Sequence, residues 1–266
     1  MKANPFHGEQ IDAPPRYAAP ALEKGLELLE ALAAEPGGMT QTALANCVGR
    51  SVPEIYRMLN VLERYQYVSR DPTTAQYSLT LKLFQLATLH PPTRRLLHSA
   101  LPVMRQLAER TGQSCHLVVA QGDRILIVAD EQSSLPMAFS VRLGASFPMS
   151  PHYVSARVLA AFQPEPRREE LARRMIKMHG GKELASLQER LDWIVRMGHD
   201  QAPSKQVQGI IDISYPVLDH LRTAVAALSI PYLATRDARL DEHGVVTALA
   251  SAAAEISRNI GCSAGK

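Results

Sequence analysis

Thr40-Gln-Thr-Ala-Leu-Ala-Asn-Cys-Val-Gly-Arg50 and Ser51-Val-Pro-Glu-Ile-Tyr-Arg-Met-Leu-Asn-Val-Leu-Glu-Arg-Tyr65 read as two capped helices in succession, and a hairpin pattern follows them. Thr40 is placed to cap the first helix, whose Leu44 and Val48 point inward, and Gly49-Arg50 makes the turn. In the second, Ser51 and Glu54 have the spacing of a capping box, and Pro53 lies in the first turn, where its missing N–H costs nothing. Ile55, Met58, Leu59 and Leu62 recur at i, i+3, i+4 and i+7 and form one apolar face. Pro53, Tyr56, Arg57, Asn60 and Arg64 make the opposite stripe. Tyr67-Val-Ser-Arg70 and Gln76-Tyr-Ser-Leu79 alternate around Asp71-Pro-Thr-Thr74, which is turn chemistry. Together these elements predict a winged helix-turn-helix over residues 20–80. Such a unit suits a DNA duplex, with the second helix in the major groove and the wing on the backbone. The candidate contacts are Thr40, Gln41, Arg50, Ser51, Pro53, Glu54, Tyr56, Arg57 and Asn60, with Arg70 and Thr74 from the wing.

Charge gives this reading little help. The 266 residues carry 29 basic and 26 acidic side chains, a net of +3. Within residues 1–80, seven Lys and Arg are outnumbered by nine Asp and Glu. Affinity for a polyanion must therefore come from local placement of Arg50, Arg57, Arg64 and Arg70, because most of the acids lie upstream of them. Cys47, Cys115 and Cys262 form no CxxC pair, and no signal peptide or long apolar run is visible, so a reduced, soluble, cytoplasmic protein is expected, with no membrane partner. Cys115-His116 lacks a second ligand pair at zinc spacing, so no metal and no cofactor are expected.

Residues 1–19, with Pro5, Pro14 and Pro15 among small and polar side chains, read as a disordered arm. In Ala21–Ala34, Leu22, Leu26, Leu29 and Ala33 share one face of a helix, and Leu28 with Leu32 forms a second apolar row that is core by default. Leu79–His90 reads as a helix carrying Leu81, Leu83, Phe84, Leu86 and Leu89 that breaks at Pro91-Pro92, which makes residues 81–92 a linker helix. Residues 93–264 then form one α+β domain. Thr93–Thr111 is helical, with Leu96, Leu97, Leu101, Met104 and Leu107 inward. His116–Ala120, the turn at Gly122 and Arg124–Ala129 form a hairpin, and Ser140–Leu143 is a candidate third strand. Ser155–Phe162, Arg167–Met178 and Lys182–Met197 read as helices, Gly209–Ser214 and Ala224–Ile230 as buried strands, and Asp241–Ile260 as a final helix.

Several motifs in order resemble one family. Ala21-Leu-Glu-Lys-Gly-Leu-Glu-Leu-Leu29, Cys115-His-Leu-Val-Val with Gly122, Gly144-Ala-Ser-Phe-Pro-Met149 leading to Val154-Ser-Ala-Arg-Val-Leu-Ala160, and Asp212-Ile-Ser-Tyr-Pro-Val217 with Ala226-Ala-Leu-Ser229 are similar to IclR-type bacterial transcription regulators. The likeness spans almost the whole chain. It implies a winged helix-turn-helix, a connecting helix and an α+β effector-binding domain with a curved antiparallel sheet. It also implies a dimer or tetramer on operator DNA that responds to a small organic acid or an aromatic or hydroxylated metabolite. Three stretches depart from the family pattern. The recognition helix opens Ser51-Val-Pro-Glu54 rather than with a Ser-Thr pair. Ser150-Pro-His-Tyr-Val-Ser-Ala-Arg157 replaces His-x-Thr-Ala-x-Gly-Lys, and Asp212-Ile-Ser-Tyr-Pro-Val217 replaces Cys-Ile-Ala-Ala-Pro-Val.

By this resemblance the effector lies between the loop at Val154, Ser155 and Ala156 and the strands bearing Asp212, Ser214 and Ser229, with His116 and His152 as further candidates. Backbone N–H groups near Ser155 suit a carboxylate. An ionised Asp212 in the pocket would repel that anion and favour hydroxyls or an amine, and strand alternation leaves open whether Asp212 or Ile211 and Ile213 face inward. The alternatives are a hydrolase with a Ser/His/Asp site and an architectural DNA binder without a ligand. The chain has no G-x-S-x-G elbow, HExxH, G-x-G-x-x-G or Walker A pattern, so a non-enzyme is expected.

Overall fold

The computed structural model describes residues 19–89, 91–178, 184–236 and 238–262. The expected arm, apart from Ala19, the Gly180-Gly181-Lys182 segment and the last residues of the expected effector domain lie outside them. The chain divides into two compact units at Pro91/Pro92.

The first unit runs α1 (Pro20–Ala33), β1 (Met39–Thr40), α2 (Gln41–Cys47), α3 (Val52–Arg64), β2 (Val68–Arg70), β3 (Gln76–Leu79) and α4 (Lys82–Leu89). The Thr40 hydroxyl accepts from the Ala43 N–H at 3.3 Å and starts α2. The Glu54 carboxylate reaches back to accept from the Ser51 N–H at 3.0 Å and its hydroxyl at 2.7 Å, which starts α3. Leu28, Leu32, Leu44, Ile55, Leu59, Val68 and Tyr77 fill one core. The expected inner face of α3 is therefore correct, and on α1 the expected core row, Leu28 and Leu32, is buried, whereas Leu22 and Leu26 are 63% and 50% exposed. The packing of α3 against α1 selects the narrower of two apolar rows. β1 adds a strand to the hairpin and pairs with β3, a feature too short to have a sequence period. Gly38, at φ +74°, permits it, because a Cβ there would lie 2.8 Å from the Tyr77 carbonyl oxygen.

The second unit runs α5 (Pro91–Thr111), β4 (Cys115–Gln121), β5 (Arg124–Glu131), β6 (Ser146–Pro148), α6 (Val154–Ala161), α7 (Glu165–Met178), α8 (Leu184–Met197), β7 (Asp200–Pro203), β8 (Ile210–Leu218), β9 (Ala224–Leu233) and α9 (Glu242–Asn259). α4 ends at Leu89, before Pro91-Pro92 as expected, and the two prolines open α5, as first-turn prolines can. Its Leu96, Met104 and Leu107 are buried, but Leu101 is exposed. The six strands form one curved antiparallel sheet in the order β6-β5-β4-β9-β8-β7. The third strand is Ser146–Pro148 and not Ser140–Leu143, because the β5 edge accepts Phe147 opposite Ile125.

The sheet is buried on both faces. Leu117, Ile213, Leu228 and Ile230 pack with α5 and α9, while Val118, Ile125, Ile127 and Ala227 pack with α6, α7 and α8. Antiparallel strands covered on both sides can lose polar alternation, which is why β9 reads as a nearly continuous apolar run. The two faces of α3 give the plainest test of the first unit. Leu59→Ala should lower unfolding free energy by about 2–5 kcal/mol, and Tyr56→Ala by no more than about 0.5 kcal/mol, both measured by denaturant titration.

Candidate functional site

Two surfaces gather the candidate residues. On α3, Pro53, Tyr56, Arg57 and Asn60 are all exposed on the side opposite Ile55 and Leu59. Arg70 and Thr74 are exposed on the wing, whose tip is held by the Asp71 carboxylate accepting from the Thr73 and Thr74 N–H groups at 2.8 Å. Those two donors hold the Asp71 pKa below its ordinary value. The Arg70 guanidinium lies 5.7 Å from the centre of the Tyr77 ring.

Arg50 departs from the sequence reading. Its guanidinium grips the Glu27 carboxylate of α1 through Nε at 3.3 Å and Nη2 at 3.0 Å. Glu54 is tied as well: besides Ser51 it takes the Lys24 ammonium at 3.2 Å, and the Ser51 and Lys24 donors pull its pKa down to about 2. Arg50, Ser51 and Glu54 thus fasten the start of α3 to α1. Thr40 likewise spends its hydroxyl on capping α2, and Gln41 is half-buried.

The second surface is a cavity of about 380 Å³ on the α6 side of the sheet. Register explains its floor. His116 of β4 is opposite Ser229 of β9, which is opposite Ser214 of β8, so all three side chains share one face. The Ser214 and Ser229 hydroxyls are 2.8 Å apart, and Asp212 and Ser155 also line the cavity. The alternation is settled for Asp212, which looks into the cavity while Ile211 packs on the α5/α9 side. Burial raises the Asp212 pKa, against a hydrogen bond from Ser204 and the charge of Arg157. Of the remaining effector candidates, Val154 is on the wall, but Ala156 is buried in the core behind it, one helix position round, and His152 is exposed on the turn before α6. No side chain caps α6, whose first residues Val154 and Ser155 line the cavity, so its first-turn N–H groups have no side-chain cap there.

The segment 139–147 supplies walls that sequence reading missed: Phe139, Arg142 and Phe147, with Tyr153 beside them. The strand-like alternation of Ser140–Leu143 carries no sign that the segment walls a cavity. Also unmarked is the support behind α6. Asp200, fully buried, takes Arg157 Nε at 2.6 Å and Arg190, and Arg157 donates its second bond to the Pro151 carbonyl at 2.5 Å. Among the described residues no cluster of His, Cys, Asp and Glu is placed to hold a metal. His116 Nδ1 has no hydrogen-bond partner among them.

Burial lowers the His116 pKa to about 4, which has a definite sign. The unfolded ring protonates below about pH 6.5 while the folded ring stays neutral, so its contribution is constant above that pH and stability is lost as pH falls from about 6.5 to about 4. Thermal melts across this window should show a loss on the order of 3 kcal/mol in the wild type that His116→Gln does not show.

Residues 92–258 match the bacterial transcriptional regulator IclR C-terminal domain, and residues 21–72 match the IclR helix-turn-helix domain. Over 223 residues the chain is 28% identical to the HTH-type transcriptional regulator KdgR of Dickeya chrysanthemi, covering 83% of this chain and 73% of that one. It is 25% identical to the transcriptional repressor IclR of Escherichia coli, covering 88% of each. Among solved structures, HmgR of Pseudomonas aeruginosa shares the fold with a TM-score of 0.71 at 22% identity, over 91% of this chain and 100% of that one. An IclR homologue of Microbacterium hydrocarbonoxydans, solved in complex with 4-hydroxybenzoate, shares it with a TM-score of 0.72 at 20% identity, over 90% and 98%. With both units matched in order, the chain belongs to the IclR family of bacterial transcription regulators, DNA-binding proteins with an N-terminal helix-turn-helix.

Proposed function

We propose that this regulator changes its operator affinity when a small hydroxylated organic acid, with an apolar or aromatic body, enters the cavity beside α6. The carrying observation is the division of that cavity into two chemistries. Its floor is hydrogen-bonding: His116, Ser214 and Ser229, with Asp212 beside them, whose pKa is raised by burial. Such groups exchange bonds with hydroxyls and penalise a buried carboxylate. The Arg142 guanidinium and the first-turn N–H groups of α6 supply the complementary end, where a carboxylate is favoured. Phe139, Phe147 and Tyr153 also line the cavity and suit a flat apolar body. The 4-hydroxybenzoate bound by the Microbacterium homologue has this chemistry, and it is the probe of choice. It should raise the melting temperature of the full chain. Ser214→Ala and Ser229→Ala should each weaken it by about tenfold, as expected for one hydrogen bond of about 1–1.5 kcal/mol. Equal stabilisation by 4-hydroxybenzamide would remove the carboxylate end from the reading.

For DNA we assign the reading role to Tyr56, Arg57 and Asn60 of α3, with Arg70 and Thr74 on the backbone, and give Arg50, Ser51 and Glu54 a positioning role. The functional unit on DNA is a homodimer. Leu22 and Leu26 on α1, and Leu81, Phe84 and Leu89 at or on α4, are at least half exposed, which is far more apolar surface than so small a unit leaves bare without a partner. A two-fold dimer reads a pseudo-palindrome with half-sites about one helical turn, or a multiple of it, apart. Footprinting on a selected operator should show two-fold protection. Arg57→Ala should cost about 1–3 kcal/mol of operator affinity through a lost guanine contact. Phe84→Glu should shift the sedimenting species towards monomer and weaken operator binding with it.

A further inference from the structure

A second cavity, of about 360 Å³, opens between α9, the end of α8 and β8. It shares no wall residue with the effector cavity, because Ser214 and Tyr215 are neighbours on β8 and face opposite ways. Its walls are apolar, with Phe162, Leu218 and Ala254 and the ring of Tyr215, and it carries two cations, Arg222 and Arg258. Neither guanidinium has an ion-pair partner among the described residues, in a unit where Arg157, Arg167, Arg168, Arg173, Arg174 and Arg190 all have one. The backbone at Arg222 is held by a built turn, and its side chain is exposed. The Asp219 carboxylate accepts from the Leu221 and Thr223 N–H groups at 2.9 Å each, and the Arg222 N–H reaches the Asp219 carbonyl at 3.0 Å. The Ser257 hydroxyl on the cavity wall is already spent, donating to the Ala253 carbonyl and accepting from the Leu218 N–H. An occupant therefore meets two guanidinium groups and hydrocarbon, with little else.

We propose that this cavity is a second small-molecule site, separate from the effector cavity, for a compact amphipathic monoanion: a carboxylate on an aromatic or aliphatic body. Two planar guanidinium groups bind a carboxylate by paired, charge-assisted hydrogen bonds, and the body replaces water against Phe162, Leu218 and Tyr215. The Tyr215 ring is stacked on His199 at 4.7 Å and 5°, and His199 stands 6.5 Å from Trp193. Trp193 is the only tryptophan of the chain, so its emission reports on this wall.

The test is a fluorescence titration of the full chain with benzoate, hexanoate and the uncharged benzamide. Benzoate and hexanoate should give a saturable change in Trp193 emission. That change should survive Arg142→Ala, which removes the cation of the first cavity. It should weaken at least tenfold in the Arg222→Ala/Arg258→Ala double variant and in Ala254→Phe, which keeps both arginines and fills the space. Benzamide should bind at least tenfold more weakly than benzoate. The site is refuted if neither anion gives the change, if it is lost in Arg142→Ala, if the folded double variant and Ala254→Phe retain wild-type affinity, or if benzamide matches benzoate.

Discussion

The geometry of the effector-binding unit hangs on one buried carboxylate. Asp200 has no exposure at all and is held by Arg157 from α6 and Arg190 from α8. Removing one partner of such a group leaves an uncompensated charge in the interior, at a cost of about 3–5 kcal/mol, so the three side chains act as a unit. Through it α6, α8 and the edge strand β7 are fastened together. Arg157 extends the link by donating to Pro151, in the turn that delivers Tyr153, Val154 and Ser155 to the cavity. Arg190 lies over the Trp193 ring at 4.1 Å and adds cation–π attraction on the other side. The polar row across the sheet continues from this clamp: Asp200 is opposite Ser214, Ser214 opposite Ser229 and Ser229 opposite His116. One transverse line of the sheet thus begins in a structural ion pair and ends in the floor of the cavity.

The DNA-binding unit solves a different electrostatic problem. It carries few cations, and one of them, Arg50, is committed to Glu27, whose charge and hydrogen bonds raise the arginine pKa further. Lys24 is committed to Glu54 in the same way. These crossed pairs fasten the start of α3 to α1. Their individual worth at such exposed positions is small, and their contribution is orientation. What remains for DNA is a short list of side chains on one helix face and a wing. That scarcity makes a paired, two-fold arrangement the natural route to tight binding, since each half-site supplies little counterion release.

Where the sequence reading failed, the failures share a cause. Ser140–Leu143 alternates as a strand does, yet β5 pairs with Ser146–Pro148 instead. Ala156 and His152 sit in the right loop and helix, but the turn of α6 sends one to the core and the other to solvent. Cys115 is buried, and burial pushes its pKa up to about 12.

The sequence by itself determined the elements with strong local signals: the capped helices α2 and α3 with their apolar faces, the wing around Asp71-Pro72, the β4–β5 hairpin and the family to which the order of motifs belongs. Caps, turns and single-face periodicity are short-range physics, and a few neighbouring residues contain them in full. Tertiary structure alone decided the rest. That includes the docking of Arg50 on Glu27, the Arg157–Asp200–Arg190 clamp and the alignment of His116, Ser229 and Ser214 from three strands. Each depends on register or packing between residues 10 to more than 100 positions apart, and such pairings are set by burial and hydrogen-bond satisfaction across the whole unit rather than by any local pattern.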